Sequence, residues 1–407
     1  MITLEQLIEY AHDPSLDVRV FPPPHKSKDW LDLVGKSSVD TRLKEDWRAA
    51  GMESIATGKV GVLMMAGGLS TRWGSHGLRG NAEIGPITNR SIFQLQMEKV
   101  LAIGKKYRRQ PHLLIVTSEA AHQETVGAFC KHNYFGLPEK DVWFCEQTCL
   151  PVFGTGAQPI TNDKGSAVLC PTGHGAMLEA LVKSGCLELL VDEGVEFLFY
   201  FQYPNVLERI CDPLMLGYHR LGEYEVTTKG FYGSNPEELL GRMVSDGKSV
   251  RVVEYFAVAQ GPRPSWWNEA PASMATYVWN VAFLARCVKE KVELPYYRLP
   301  YRGRGSGGKP LYKLERFAFD LLPHARSTGL VIVDRSEEYA AVKEPSSLQT
   351  ARTALCGLYQ RWLERSGARP KRPDCRVEIS PLFALDENEL KQKLPPHFTY
   401  DDGLVLV

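Results

Sequence analysis

Residues 64–74, Met-Met-Ala-Gly-Gly-Leu-Ser-Thr-Arg-Trp-Gly, join an apolar run to a turn of small residues that carries one cation, Arg72. Gly67 and Gly68 have no Cβ, so backbone N–H groups in this turn can converge on a phosphate. The guanidinium of Arg72 would add bidentate charge to the same group. The segment therefore predicts a polyphosphate site, although a Gly-Gly turn by itself is equally typical of a tight structural turn.

The apolar run before this turn is the first of several short strand candidates that are separated by helical stretches. The strand candidates are residues 60–66, 112–117, 142–146, 195–201, 250–255 and 277–283. The helix candidates are residues 91–105, 120–132 and 176–184. Strands that alternate with helices predict an α/β fold with a mostly parallel sheet. The first 55 residues or so are predicted to be mainly helical, and the segment after 326 to hold one strand (330–333) and one helix (350–365).

The composition excludes several classes of function. The 407 residues carry 48 basic and 48 acidic side chains, so the formal net charge is zero and no broad surface for nucleic acid or membrane is expected. No apolar run approaches the roughly 20 residues that span a bilayer, and the N-terminus does not have the pattern of a secretion signal. Nine scattered cysteines without a Cys-x-x-Cys pair indicate reduced thiols. We therefore expect a cytoplasmic protein.

An ordered series of blocks resembles the UDP-sugar pyrophosphorylases, the family that contains the UDP-N-acetylglucosamine and UDP-glucose pyrophosphorylases. The turn itself is similar to the family pattern L-A-G-G-x-G-T-R-L-G. The further blocks are residues 91–98 (SIFQLQME), 116–119 (VTSE), 133–137 (NYFGL), 144–151 (FCEQTCLP), 171–175 (PTGHG), 205–213 (NVLERICDP), 252–255 (VVEY) and 313–320 (KLERFAFD). The resemblance implies a Rossmann-like nucleotide-diphospho-sugar transferase fold with a mostly parallel mixed sheet. It implies a catalytic-type domain over 58–325, an N-terminal helical region over 1–57 and a C-terminal domain over 326–407.

The resemblance also implies a reaction, in which UTP and a hexose or N-acetylhexosamine 1-phosphate give a UDP-sugar and pyrophosphate, with Mg²⁺ as the cofactor. Positioning and charge neutralisation would dominate such a phosphorus-transfer step. The residues that match functional positions of the family are Ala66, Gly67, Gly68, Ser70, Thr71, Gln147, Gly173 and His174 for the nucleotide, Gly241, Glu254 and Tyr277 for the sugar, and Arg72, Arg79 and Lys313 for catalysis.

Three of these positions also have a structural interpretation. His174 stands between two glycines, and a role in stabilising a turn is the alternative to the nucleotide contact. Glu254 follows an apolar run and would equally be a solvated glutamate at a strand end. Lys313 has Glu315 and Arg316 as neighbours, a pattern typical of a solvated face.

The chain departs from the family pattern where the chemistry should lie. The substituted positions are Leu69, Ser70 and Trp73 in the turn, Arg79 where Pro-Lys-Gly has lysine, and Pro204 where Gln-Val-Asp-Asn has aspartate. In the family, that aspartate ligates Mg²⁺, and proline has no side-chain oxygen for a hard cation. Asn205 is only a neutral substitute. The sequence therefore predicts that the protein ligand for the metal is missing.

Two hypotheses follow for the function. The first is an active uridylyltransferase. The second is a catalytically impaired relative that binds nucleotide or sugar nucleotide, or acts as a scaffold. A dinucleotide-dependent oxidoreductase is not favoured, because no Gly-x-Gly-x-x-Gly with an acidic residue about 20 positions later is present. The sugar stays open, because the segment around His174 favours the UDP-glucose branch and residues 144–151 favour the N-acetylglucosamine branch.

Overall fold

The computed structural model describes residues 30–34, 40–68, 77–233, 238–245, 249–258, 263–301 and 310–407. The strands are β1 (Trp30–Asp32), β2 (Val60–Met65), β3 (Leu113–Ser118), β4 (Val142–Gln147), β5 (Cys149–Pro151), β6 (Leu169–Pro171), β7 (Phe197–Gln202), β8 (Val226–Phe231), β9 (Arg242–Ser245), β10 (Val250–Val253), β11 (Ala272–Asn280), β12 (Tyr297–Pro300), β13 (Tyr312–Glu315), β14 (Thr328–Ile332), β15 (Arg369–Pro370), β16 (Val377–Ile379), β17 (Thr399–Tyr400) and β18 (Leu404–Leu406). The α-helices are α1 (Thr41–Ala56), α2 (Ile92–Tyr107), α3 (His122–Lys131), α4 (Met177–Lys183), α5 (Cys186–Asp192), α6 (Pro213–Leu221), α7 (Val281–Lys289), α8 (Arg335–Glu338), α9 (Leu348–Arg365) and α10 (Glu387–Lys393).

A ten-stranded sheet runs through the molecule in the order β1-β14-β8-β11-β7-β2-β3-β4, with β9 and β10 paired beside β11. Strands β1, β14 and β8 are parallel to one another, as are β7, β2, β3 and β4. Strand β11 is antiparallel to both of its neighbours, β7 and β8. The predicted α/β class with a mostly parallel mixed sheet is therefore confirmed.

Both faces of this sheet are buried. All six residues of β2 lie in the interior. Val62 and Met64 join one apolar cluster with Phe199 of β7, whereas Leu63 joins the opposite cluster with Tyr200. Successive side chains of a strand alternate between faces, so a strand that is apolar at every position requires cover on both sides. The helices and 3₁₀ turns supply that cover.

Several predicted elements differ from the observed ones. The strand predicted over 277–283 ends at Asn280, where helix α7 begins. Strand β8 was not predicted, because Lys229 and its neighbouring threonines give it a polar sequence although all six of its residues are buried. Strand β1 lies in the region predicted to be helical.

The sheet also crosses both predicted domain boundaries. Strand β1 precedes residue 58 and β14 follows residue 325, yet the two strands pair with each other and β14 pairs with β8. The segments before 58 and after 325 therefore contribute to the same sheet as the central part of the chain. Among the described helices, none is long and apolar enough to cross a membrane.

The parallel strands end at one common edge of the sheet. Met65, Gln147, Gln202 and Phe231 are the last residues of β2, β4, β7 and β8. Ligands of open α/β sheets bind outside the carboxyl ends of the strands. The site residues predicted from the sequence are therefore expected at this edge.

Candidate functional site

The residues that follow β2 continue its pairing with β3, and there is little space around Gly67. The N–H of Ala66 donates to the carbonyl of Val116 at 2.7 Å, which continues the pairing with β3 by one residue. A Cβ on Gly67 would lie 1.8 Å from Nε2 of Gln147, whereas a Cβ on Gly68 would meet nothing within 4 Å. Any larger residue at position 67 would therefore displace the Gln147 amide. The predicted residues Ser70, Thr71 and Arg72, with Leu69 and Trp73, lie outside the described residues.

Gln147 ends β4 and is 3% exposed. Its Oε1 is buried and has no hydrogen-bond partner among the described residues. Burying an amide oxygen without a partner is costly, so this atom is available to a donor from a ligand. An amide both donates and accepts, as the edge of a pyrimidine base requires. The structure thus brings the predicted base contact and the predicted phosphate turn together.

The segment at Gly173 and His174 has a defined structural role. Gly173 has φ 82°, and a Cβ there would lie 2.5 Å from the carbonyl oxygen of Arg316. The N–H of Ala318 donates to Nδ1 of His174 at 3.0 Å, so the neutral ring carries its proton on Nε2. Burial lowers the pKa of His174 to about 4, which keeps the ring neutral at pH 7. His174 therefore stabilises the 3₁₀ turn that starts at Ala318, and its predicted nucleotide contact through Nε2–H stays a prediction.

Two of the predicted sugar contacts are in van der Waals range of each other. A Cβ on Gly241 would lie 2.9 Å from Oε1 of Glu254, so the carboxylate lies directly over the glycine backbone. Burial raises the pKa of Glu254 to about 7; the positive charge of Lys343 opposes this shift, and Glu315 adds to it. Glu254 is therefore not the fully solvated strand end of the alternative interpretation.

Tyr277 is buried in the interior of the protein. Its side chain is 0% exposed, and its ring packs against Tyr200 at 5.4 Å and Trp279 at 4.9 Å between centroids. Its hydroxyl is buried without a partner among the described residues, like that of Tyr200. The structure gives Tyr277 a packing role, and its predicted contact with sugar stays a prediction.

Lys313 lies on β13, which pairs with β12 in a separate two-stranded sheet. Its Nζ donates to Glu315, and the side chain is 24% exposed. Although burial by itself lowers it, the pKa of Lys313 is raised by the Glu315 carboxylate. Its charge is thus neutralised by an immediate neighbour, and its predicted approach to the phosphates stays a prediction.

The two substituted catalytic positions, Arg79 and Pro204, lie on either side of Val342. Nη1 of Arg79 contacts the Val342 carbonyl oxygen at 3.4 Å, and the Val342 N–H donates to the Pro204 carbonyl at 2.9 Å. Nε of Arg79 is buried without a partner among the described residues. A segment near residue 342 therefore forms one wall of the site, although it follows the predicted domain boundary at 325.

The residue after Val342 is a functional candidate that the sequence did not reveal. Nζ of Lys343 donates to the carbonyl of Leu239 at 3.0 Å, and its charge acts on Glu254. Lys343 also lines a cleft of about 790 Å³, together with Glu238. Only the tertiary pairing of this segment with residues 204–206 carries the lysine to the sheet edge, and no local motif indicates it.

The strand exit at Pro204 does not fit a protein-held Mg²⁺. Asn205 is 3% exposed; its Nδ2 donates to Glu208 at 2.9 Å and to the Glu338 carbonyl at 2.8 Å, and its Oδ1 accepts from the Ala340 N–H at 2.9 Å. These bonds use both amide protons and occupy the oxygen. No group of three or more His, Cys, Asp or Glu suited to a metal occurs in the described part of the chain. Asn205 instead ties β7 to the segment that follows α8.

A buried charge network continues from this point. Nζ of Lys229 lies 2.6 Å from Glu338 and 3.1 Å from Asp212, and the lysine is 0% exposed. Although burial by itself lowers it, the pKa of Lys229 is raised by the carboxylates of Glu338 and Asp212. Glu208 accepts from Thr276 at 2.7 Å, and burial raises its pKa. The network joins β8, α6, α8 and β11 beneath the site.

The chain is similar in sequence to proteins of a known family. The family model described as UTP--glucose-1-phosphate uridylyltransferase matches residues 35–402. UDP-N-acetylglucosamine diphosphorylase 2 of Arabidopsis thaliana is 30% identical over 388 residues, which cover 87% of this chain and 77% of that protein. UDP-N-acetylglucosamine pyrophosphorylase of Saccharomyces cerevisiae is 27% identical over 413 residues, which cover 95% and 85%.

A solved structure has the same fold. The uridine diphosphate N-acetylglucosamine pyrophosphorylase of Trypanosoma brucei, crystallised with an inhibitor, superposes with a TM-score of 0.79 at 23% identity and covers 97% of this chain and 88% of that one. The family model spans nine-tenths of the sequence, and the matched range includes Gly67, Gln147 and the segment at 340–343. The chain therefore belongs to the UDP-sugar pyrophosphorylase family of uridylyltransferases.

Proposed function

We propose that this chain transfers a uridylyl group from UTP to an N-acetylhexosamine 1-phosphate, with release of pyrophosphate. The observation that carries the proposal is the buried amide of Gln147, which is held against Gly67 and whose Oε1 has no hydrogen-bond partner within the described part of the chain. A uracil edge offers the N–H that this oxygen lacks, and the carbonyl that Nε2 can donate to. The same contact fixes the base beside the turn that the sequence assigns to the phosphates.

The sugar would lie on the β11 side of the base. Glu254 over Gly241 offers carboxylate oxygens to sugar hydroxyls, in a position where burial strengthens each hydrogen bond. The relatives reported above are named for UDP-N-acetylglucosamine, which supports an N-acetylhexosamine rather than a plain hexose.

Among the described residues, Arg79 and Lys343 are two cations that meet at residues 342–343. Arg79 contacts the carbonyl of Val342, and Lys343 follows directly in the chain. Cations fixed in advance at the charge that develops on the phosphates stabilise the transition state without reorganisation. We assign to both the neutralisation of phosphate charge, with the UTP phosphates between the turn and residues 342–343.

The reaction is tested by pyrophosphate release from UTP with N-acetylglucosamine 1-phosphate, glucose 1-phosphate or no acceptor, across a Mg²⁺ series. We expect release that depends on the N-acetylated acceptor and falls at least tenfold in Gln147→Leu. Gln360→Leu, on α9 outside the site, serves as the matched control. No release at high enzyme concentration from folded protein, with every acceptor, would contradict the proposal.

A second candidate is a relative that binds nucleotide without turnover. The observation that favours it is the exit of β7, where Pro204 has no ligating oxygen and Asn205 uses all of its polar atoms within the fold. Calorimetry with UTP and with UDP-N-acetylglucosamine separates the candidates. Binding without pyrophosphate release supports this one, and absence of binding by folded protein contradicts both.

The cysteines support a proposal for the location. All nine cysteines are free, and the described helices include no membrane span. Free thiols persist in reducing compartments. We propose that the protein acts in the cytoplasm.

A further inference from the structure

Two cysteine sulfurs are in contact near the carboxyl end of β4. Cys145 belongs to β4 and Cys186 begins α5, 41 residues later, and the Cys145 thiol donates to the Cys186 sulfur at 3.1 Å. A disulfide bond is about 2.05 Å long. The two sulfurs therefore need to approach by roughly one further ångström, which side-chain rotation and a small helix shift can supply.

The other close pair of cysteines does not share this geometry. Cys149 lies opposite Pro171, and Cys170 lies opposite Leu150, in the antiparallel pair β5–β6. Neighbouring positions of a strand point to opposite faces, so these two thiols point apart. All nine cysteines lie in the described residues, and among them only Cys145 and Cys186 share a sulfur–sulfur hydrogen bond.

We propose that Cys145 and Cys186 form a modification site, at which a hydroperoxide converts the thiol pair to an internal disulfide. With hydrogen peroxide as the oxidant, the Cys186 thiolate attacks one peroxide oxygen and the O–O bond breaks. The sulfenic acid forms on Cys186, and the departing hydroxide takes a proton from solvent to become water. The Cys145 sulfur then attacks the Cys186 sulfur, the S–O bond breaks and a second water leaves. The two sulfurs lose two electrons in total, and the peroxide gains them.

The environment orders these steps. Cys186 is 5% exposed and Cys145 is 0% exposed, so a small oxidant reaches Cys186 first. The hydrogen bond from Cys145 lowers the pKa of Cys186, which favours the thiolate at this sulfur rather than at Cys145. The same hydrogen bond, with burial, raises the pKa of Cys145. One sulfur is thus suited to attack the oxidant and the other to resolve the sulfenic acid.

The linkage would affect the candidate site through β4. Cys145 is two residues before Gln147, so both side chains project from the same face of the strand. A disulfide to α5 would fix this strand end to a helix and close a loop of about 40 residues. We expect the midpoint of thermal unfolding to rise by about 5 °C on oxidation. Any change in UTP affinity rests on the proposed function, whereas the linkage itself does not.

The experiment treats the full chain with hydrogen peroxide or with a reductant, alkylates free thiols, and maps peptides without reduction. We expect a linked peptide that joins Cys145 to Cys186, 2 Da lighter than the two reduced peptides. The linked peptide should persist in Cys130→Ser, which removes an exposed thiol, and disappear in Cys186→Ser.

Two results would overturn the inference: alkylation of both thiols in oxidised protein that stays folded, or a linkage that forms only after urea is added. If Cys186→Ser does not fold, Cys145→Ala serves as the second variant. In either case, the peptide masses and the alkylation pattern of the oxidised wild-type chain decide whether the linkage forms.

Discussion

The side chain of Gln147 fills the space that a Cβ on Gly67 would occupy, with Nε2 only 1.8 Å from that position. The contact joins the carboxyl ends of β2 and β4, which are separated in the sheet by β3. The glycine of the turn is thus fixed by a side chain that arrives 80 residues later, as well as by any ligand.

Gly67→Ala should therefore displace the Gln147 amide. Because the clash is with the far end of a flexible side chain, we expect the free energy of unfolding to fall by only about 1 kcal/mol. UTP affinity should fall at least tenfold, since the base contact moves. Urea unfolding and UTP calorimetry measure the two effects. Gly127→Ala on α3, where a Cβ meets nothing, is the control and should leave UTP affinity unchanged. Equal UTP affinity in both variants would contradict this role of Gly67.

Glu254 should make sugar-nucleotide binding depend on pH near neutrality. Its pKa is raised to about 7, and an ionised carboxylate accepts sugar hydroxyls better than a neutral one. We expect the affinity for UDP-N-acetylglucosamine to increase as the pH rises through 7, and this increase to vanish in Glu254→Gln. Glu315→Gln removes a repulsive charge, so the midpoint should move to lower pH. A wild-type affinity that is flat between pH 6 and 8 would contradict the assignment.

Lys229 should be among the most costly side chains to remove. Lys229→Met removes the buried ammonium from Asp212 and Glu338 and leaves Glu338 with a longer contact to Arg209, at 3.8 Å. Breaking a buried pair costs about 3–5 kcal/mol, and we expect the lower end of this range because Arg209 remains. Lys59→Met is the matched control, since Lys59 pairs with Glu196 at the surface, and exposed pairs contribute about 0–1 kcal/mol. Urea unfolding compares the two variants, and similar losses in both would contradict the buried network.

Acid should destabilise the fold through two buried histidines. Burial lowers the pKa of His174 to about 4 and that of His219 to about 3, whereas both titrate near 6.5 in the unfolded chain. The unfolded state then binds more protons below pH 6.5, so the stabilisation is complete above 6.5 and is lost as the pH falls toward 4. The loss should be about 1 kcal/mol per pH unit for each ring. His219→Asn should make the free energy of unfolding less dependent on pH in this window, and an unchanged slope would contradict the effect.

The position of Pro204 offers a gain-of-function test. Pro204 contributes its carbonyl to Val342, and this bond survives any side-chain change. Pro204→Asp combined with Arg79→Lys restores the carboxylate and the ammonium that the family places there. We expect pyrophosphate release to increase at least tenfold and to depend more steeply on Mg²⁺. The single variant Arg79→Lys is the control, and equal release by both would show that Pro204 does not limit turnover.

The sequence predicts some parts of this molecule better than others, for physical reasons. Strands β2, β3 and β7 are short apolar runs buried on both faces, and their length and alternation with helical segments predict them. Strand β8 is not predicted in this way, because Lys229 gives it a polar sequence. The lysine can be buried only because residues at the start of α6 and in α8, which are distant in sequence, neutralise its charge. Lys343 is likewise not predicted, since its position depends on the pairing of residues 340–342 with residues 204–206. The contact of Gly67 with Gln147 agrees with the resemblance, which assigns both residues to the nucleotide.

The placement of β14 has a consequence for how the polypeptide can be divided. Strand β14 lies between β1 and β8, so a fragment that stops at residue 325 would leave β8 with a bare row of backbone N–H and C=O groups. The same fragment would lack Glu338, and Lys229 would face the solvent-exposed gap with one carboxylate instead of two. Such a truncated chain is expected to self-associate through its open edge. Shortened versions made for crystallography or binding assays should therefore keep residues 326–343, together with the strand at 30–32 that covers the outer side of β14.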